Sequence, residues 1–229
     1  MAALDLPTGP RGLLARARPA LAAAVGGESH LILGGGTVLI ARWHHRWTHD
    51  LDFFIEASSF QRLLQNQVAF ERDLWALGGV RSVGVRSGTA LIVFEDGGEI
   101  SIATSPGFTS DRRSPDTVRG TSVALESSAE ILAKKIGGRI LGNNTFVPRD
   151  LYDLVMARQC EPAALDRALR CFTPDLLQQI ADELRRLPFD WMDTHPVPVV
   201  APSNPVAAQR APRTLQMMLD QPRRRGRVV

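Results

Sequence analysis

Long hydrophobic runs are missing from this 229-residue chain. No apolar stretch approaches the ~20 residues that span a bilayer, so no membrane partner is expected. Met1 to Pro10 lacks the basic-then-apolar pattern of an export signal, and a cytoplasmic location is the expectation. Cysteine is scarce. Cys160 and Cys171 are too few and wrongly spaced for a zinc cluster, and are expected as buried thiols. Lysine is scarcer relative to arginine: of 27 basic residues two are lysine, Lys134 and Lys135. An arginine bias of this kind reflects a GC-rich genome, but it makes the adjacent lysines conspicuous, because a compact ammonium is a good point-charge partner for phosphate. Net charge is only +3. Internal repeats are absent. So is G-x-x-x-x-G-K-[ST], which excludes a P-loop. His45 and His49 have i, i+4 spacing, but no glutamate follows as in H-E-x-x-H. His44, His45 and Arg46, interleaved with Trp43 and Trp47, read better as a basic, aromatic surface for a base or phosphate.

What is present is enough apolar sequence, 44%, for one domain or one domain with an appendage. Its most informative stretch is Gly34-Gly35-Gly36-Thr37, followed thirteen residues after the threonine by Asp50-Leu51-Asp52-Phe53-Phe54. The glycine turn follows a short apolar run, Leu31 to Leu33. On a strand, residues i and i+2 project from one face, roughly 6.5–7 Å apart. Two carboxylates that close repel unless a cation lies between them, and Mg²⁺ is typically held by one or two carboxylates plus substrate phosphates. Gly35 and Gly36 leave room for a triphosphate at a helix start, and Thr37 offers it a hydroxyl. The pattern reads as a metal-dependent site for a nucleoside triphosphate (NTP), with Asp50 and Asp52 as ligands.

Along the chain, residues 11–25 read as a helix, 31–33 as a strand, and Thr37 to about Trp43 as a helix capped by Thr37. A strand over 50–55 precedes one long amphipathic helix, 58–77. Strands follow over 80–86, 89–94 and 99–103, with Asp96-Gly97-Gly98 as a hairpin turn. Residues 105–121 read as loop and 123–125 as a short strand. Helices are expected over 127–141, 149–159, 162–170 and 174–187. Five prolines mark 195–212 as a linker or extended arm, and Thr214 to Asp220 as two helical turns. Arg223, Arg224, Arg225 and Arg227 form a basic tail, either a solvated end or an attractor of RNA phosphates.

Strand, GG[ST], helix and D-x-D strand in this order resemble the signature of the DNA-polymerase-β-like nucleotidyltransferases. Ala133-Lys134-Lys135-Ile136 followed by Arg149-Asp150-Leu151-Tyr152-Asp153-Leu154 narrows the resemblance to the AbiEii/AbiGii nucleotidyltransferase toxins, the class that includes the MenT toxins. It runs from about residue 30 to 157. It implies an α/β (α+β) fold: a polymerase-β-like core with a small mixed sheet over 1–125, a helical part carrying the lysine and RDLYDL motifs over 126–190, and a proline-rich linker with basic tail over 191–229. By resemblance Lys135 neutralises triphosphate charge and Asp150 is the late motif aspartate. One of Asp150 and Asp153, which share a helix face at i and i+3, takes a proton from the acceptor or orients Lys135, while Asp153 reads equally as a plain salt-bridge partner of Arg149 or Arg158. Arg139, one turn after Lys135, is a second phosphate contact, whereas Lys134 is expected to matter little. In the superfamily a third carboxylate often sits on a neighbouring strand. Here Ser101 stands at that place; either Glu99, two residues earlier on the same face, substitutes as a metal ligand, or the site works with two carboxylates. The implied activity is transfer of a nucleoside monophosphate from an NTP to a tRNA 3′ end, with Mg²⁺, by a toxin that has a cognate antitoxin. Nucleotidylation of a protein or small molecule, and a non-catalytic nucleotide-binding member, are the alternatives.

Overall fold

Apolar alternation builds one sheet. The computed structural model describes residues 3–220. Its strands are β1 (Ala3–Leu4), β2 (Ile32–Gly34), β3 (Leu51–Ile55), β4 (Val80–Arg86), β5 (Thr89–Phe94), β6 (Glu99–Thr104), β7 (Arg113–Val118) and β8 (Ala124–Glu126). They lie in the order β1-β7-β8-β2-β3-β6-β5-β4. β1 with β7, β8 with β2, and β3 with β6 are parallel; the other neighbours are antiparallel. In β3, Leu51, Phe53 and Ile55 are buried in the core, which leaves Asp52 and Phe54 for the opposite face. The fold is the mixed α/β architecture the sequence predicts, with eight strands in its sheet.

The helices are α1 (Thr8–Val25), α2 (Gly35–Trp43), α3 (Ala57–Gln65), α4 (Gln67–Ala76), α5 (Ser128–Lys134), α6 (Pro148–Cys160), α7 (Pro162–Leu169), α8 (Pro174–Arg186), α9 (Trp191–Thr194), α10 (Pro205–Gln209) and α11 (Ala211–Asp220). A π-helical stretch, Lys135–Gly142, continues α5. α1 packs on α3, α4 and β3, while α2 packs on β2, β3, α5 and α6. Among the described residues no helix is long and apolar enough to cross a membrane.

Five expectations are corrected. The helix over 58–77 breaks at Asn66, whose side-chain amide donates to the Arg62 carbonyl and competes with the helical ladder. The loop over 105–121 contains β7, a polar strand with Pro115 inside it, where an irregular register with β8 absorbs the proline. α2 begins at Gly35, so Thr37 is no cap; its hydroxyl donates to the Asp50 carbonyl instead. Cys160 and Cys171 are exposed free thiols, not buried ones. The expected arm over 195–212 becomes helical after Asn204, which caps α10 by accepting from the Ala207 N–H. α11 then packs on α8 and α6, burying Ala211, Leu215 and Leu219. Before α10 the chain straps across the loop after α2: Trp47 N–H donates to the Val200 carbonyl at 3.0 Å, and Ser203 N–H to the His45 carbonyl at 2.8 Å. The basic tail expected at residues 223–227 lies outside the described residues.

Candidate active site

A row of polar positions crosses the middle of the sheet. Pairing sets Gly34 opposite Asp52 and Asp52 opposite Ser101. β8 runs beside β2 with Leu125 next to Leu33, which brings Glu126 beside Gly34. Ser101 Oγ donates to Asp52 Oδ1 at 2.6 Å, so the serine orients the aspartate from the strand where a third acid was sought. Glu99 is exposed and does not line the pocket over this row. Its place at the start of β6 points it to solvent, and the structure does not bring it to Asp50 and Asp52.

The three glycines let charged groups come close. Gly35 has φ +64°, a left-handed conformation, and a side chain there would strike the Asp52 carboxylate. Side chains at Gly34 and Gly36 would strike Glu126 and Arg46. The pocket above them holds about 300 Å³ and is lined by Gly35, Gly36, Thr37, Asp50, Asp52 and Lys135, with Arg46, Arg139 and Arg149 at its walls.

Its cations are held from behind. Asp150 and Asp153, on the first turns of α6, are almost wholly buried and do not line the pocket. Lys135 bonds to Asp150 and lies 3.0 Å from Asp153. Arg139 Nη1 donates to Asp150 Oδ2 at 2.9 Å. Arg46 grips Asp153 with two bonds, 2.6 and 2.9 Å, and His45 adds a third at 2.7 Å. Burial would raise the pKa of Asp153, but Arg46, Lys135 and His45 overcome it and hold the carboxyl well below its ordinary range. Burial likewise opposes, and Lys135 and Arg139 restore, an ionised Asp150. Asp153 therefore lies behind the pocket wall, bonded to Arg46 and 3.0 Å from Lys135, and does not line the pocket itself. His45 is fully buried, which corrects its reading as a surface group.

Two charged pocket residues, Lys134 and Glu126, were set aside or missed. Lys134, expected to matter little, also lines the pocket; it bonds to Glu126 and stands 3.3 Å above the Phe54 ring. Glu126 is buried, and burial pushes its carboxyl up to about 7 against the pull of Lys134. Among the described residues its Oε2 has no hydrogen-bond partner. A carboxylate closing a short strand just before a helix-capping serine, Ser127, was the available signal. Glu130, also buried, accepts from the Phe108 and Thr109 N–H groups and so fastens the loop whose Ser105 and Phe108 line the pocket. Asp50 has its pKa raised by burial and by Asp52, and Arg149 opposes the rise.

A family model described as the AbiEii nucleotidyl transferase toxin of type IV toxin–antitoxin systems matches residues 20–221. The chain belongs to the AbiEii nucleotidyl transferase toxin family. The AbiEii match includes the glycine turn, the D-x-D strand, both lysines and α6. Two solved structures from Helicobacter pylori share the fold. JHP933 is 13% identical with a TM-score of 0.53, covering 93% of this chain and 91% of its own. A second protein, provisionally assigned as a nucleotidyltransferase, is 12% identical with a TM-score of 0.53, covering 93% and 94%. No curated protein matches the chain.

AbiEii membership raises the question of a divalent metal. Among the described residues no group of three or more His, Cys, Asp or Glu is arranged to hold one. The donor set nonetheless suits a hard cation that takes two carboxylates and completes its shell with phosphate and water. Asp50 and Asp52 both line the pocket; Ser101 donates to Asp52 Oδ1, and Arg149 Nη1 stands 3.4 Å from Asp50 Oδ2.

Proposed function

We propose that this AbiEii protein transfers a nucleoside monophosphate from an NTP to the 3′ end of a tRNA. The observation that carries the reading is the Asp50–Asp52 pair at the glycine turn, faced by Lys135, Arg139 and Arg46 across one pocket. Phosphoryl-type transfer needs positioning and charge neutralisation more than covalent help. Gly35 and Gly36 admit the triphosphate to the start of α2, where backbone N–H groups and the helix dipole favour anions. Lys135 and Arg139 neutralise it, and Asp150 and Asp153 fix where those cations stand. Asp52, oriented by Ser101, and Asp50 would hold Mg²⁺, which supplies charge stabilisation at the phosphorus and the reacting oxygens. The acceptor hydroxyl forms the new P–O bond, the bond to pyrophosphate breaks, and the hydroxyl proton is released. As the toxin of a type IV system, acting in the cytoplasm, the protein works against a cognate antitoxin.

Incubation with each labelled NTP, Mg²⁺ and total tRNA, resolved on a gel, tests this. Label on tRNA supports the proposal. Label on protein would move the acceptor to a polypeptide. A folded Asp52→Ala protein with full activity would end the nucleotidyltransfer mechanism described here.

A further inference from the structure

Arg149 behaves differently from the other arginines of the pocket. Arg46 and Arg139 are pinned by buried carboxylates, but Arg149, one residue before Asp150, reaches instead to Asp50. Nη1 to Oδ2 is 3.4 Å, and both side chains are about one-third exposed, 32% and 29%. Asp50 is its ion-pair partner across 99 residues of sequence. A long, partly solvated pair of this kind is weak and readily exchanged.

Resting on the reading of Asp50 as a metal ligand, we propose that Arg149 is the resting counter-ion of Asp50: a divalent cation displaces it, and its freed guanidinium then binds a phosphate. The reason is electrostatic. Guanidinium stays charged at any working pH, so it cannot leave Asp50 by losing a proton. A divalent ion on the same carboxylate repels it, and the side chain must swing away. Its backbone cannot follow, because the first turn of α6 is anchored through Asp150 to Lys135 and Arg139. The swing therefore stays within the pocket, where the planar fork suits a phosphate oxygen pair. That phosphate belongs either to the NTP or to the RNA acceptor.

Mn²⁺ titration without nucleotide, followed by calorimetry or electron paramagnetic resonance, gives a readout independent of activity. Arg149→Ala should bind Mn²⁺ several-fold more tightly than the wild type, and Arg149→Lys, which keeps the charge, should stay near it. With Mn²⁺ present, Arg149→Ala should bind either the four NTPs or a tRNA several-fold more weakly, and the arm that weakens identifies the phosphate. Unchanged or weaker Mn²⁺ binding by Arg149→Ala overturns the displacement, and unchanged affinity in both phosphate arms overturns the second role. Asp50→Asn separates the two levels. If it binds Mn²⁺ like the wild type, the reading of Asp50 as a ligand falls, whatever Arg149 does. If it loses Mn²⁺ while Arg149→Ala is silent, this inference alone falls.

Discussion

Two adjacent lysines with different partners show how much a single residue depends on what it faces. Lys135 is the counter-charge for two buried aspartates, so Lys135→Ala leaves Asp150 and Asp153 short of positive charge in the interior. Breaking a buried pair in this way costs ~3–5 kcal/mol. Urea unfolding should show that loss, and a folded remnant should bind NTP poorly. Lys134→Ala removes one partner of Glu126 and a cation over Phe54; NTP binding should fall here as well, with a smaller loss of stability. Equal unfolding midpoints for the two variants would contradict the buried network as the difference between them. Glu126 adds a pH signature. Its folded carboxyl titrates at about 7 against 4.5 in a free chain, so the native state keeps the proton after the unfolded chain has lost it. Its contribution to stability is therefore full below pH 4.5, declines as pH rises through that window, and is lowest above 7. At ~1.4 kcal/mol per pKa unit the swing is about 3.5 kcal/mol at most. Glu126→Gln cannot titrate, so between pH 5 and pH 8 its melting temperature should gain on the wild type. Parallel curves would show that Glu126 is ionised throughout. Composition made Lys134 and Lys135 visible. It did not reveal Glu126, because a glutamate near a helix start is ordinary in sequence and becomes unusual when a neighbouring strand buries it.

At the scale of elements, the loop after α2 depends on a segment more than 150 residues later in the chain. Tyr152, fully buried on α6, donates to the His45 carbonyl at 3.2 Å and accepts from the Asn204 N–H at 3.2 Å. One hydroxyl thus joins the loop carrying Arg46, the helix carrying Asp150, and the strap that leads into α10. Tyr152→Phe should cost ~1 kcal/mol, and hydrogen exchange should speed up at Asn204 and Ser203 before the sheet amides change. Unaltered exchange there would mean that the Trp47 and Ser203 backbone bonds alone hold the strap. The helix expected from Ser127 onward forms, and Ser127 caps it by accepting from the Glu130 N–H. Its change to π-helix at Lys135 was not expected. The wider turn admits Gly137 beneath the Phe108 ring, where any side chain would collide, and that ring arrives from a distant loop.

The whole molecule gathers cations in the pocket without a large net charge. RNA attraction by the arginine tail is an independent matter, tested on the full chain. Removing residues 222–229 deletes four arginines and no acid. If the tail contacts phosphates, the truncated protein should bind tRNA more weakly with a flatter salt dependence, by ~0.7–0.9 in the logarithmic slope per lost contact. NTP affinity should hold, because the pocket ends at Arg149. An unchanged slope would assign acceptor binding to residues before 222.

The sequence by itself determined the family, the strand periodicities of the core, and the D-x-D pair at a glycine turn. These are local patterns, since a period of two or a three-glycine turn is written in adjacent residues. Only the tertiary structure decided which charges meet. Asp153 and His45 became supports because α6 packs under α2; Glu99 stayed in solvent while Glu126 took a place beside Gly34, because β8 pairs with β2. Such outcomes follow from register between segments far apart in the chain, and no spacing along the sequence encodes the burial that gives each carboxylate its partner.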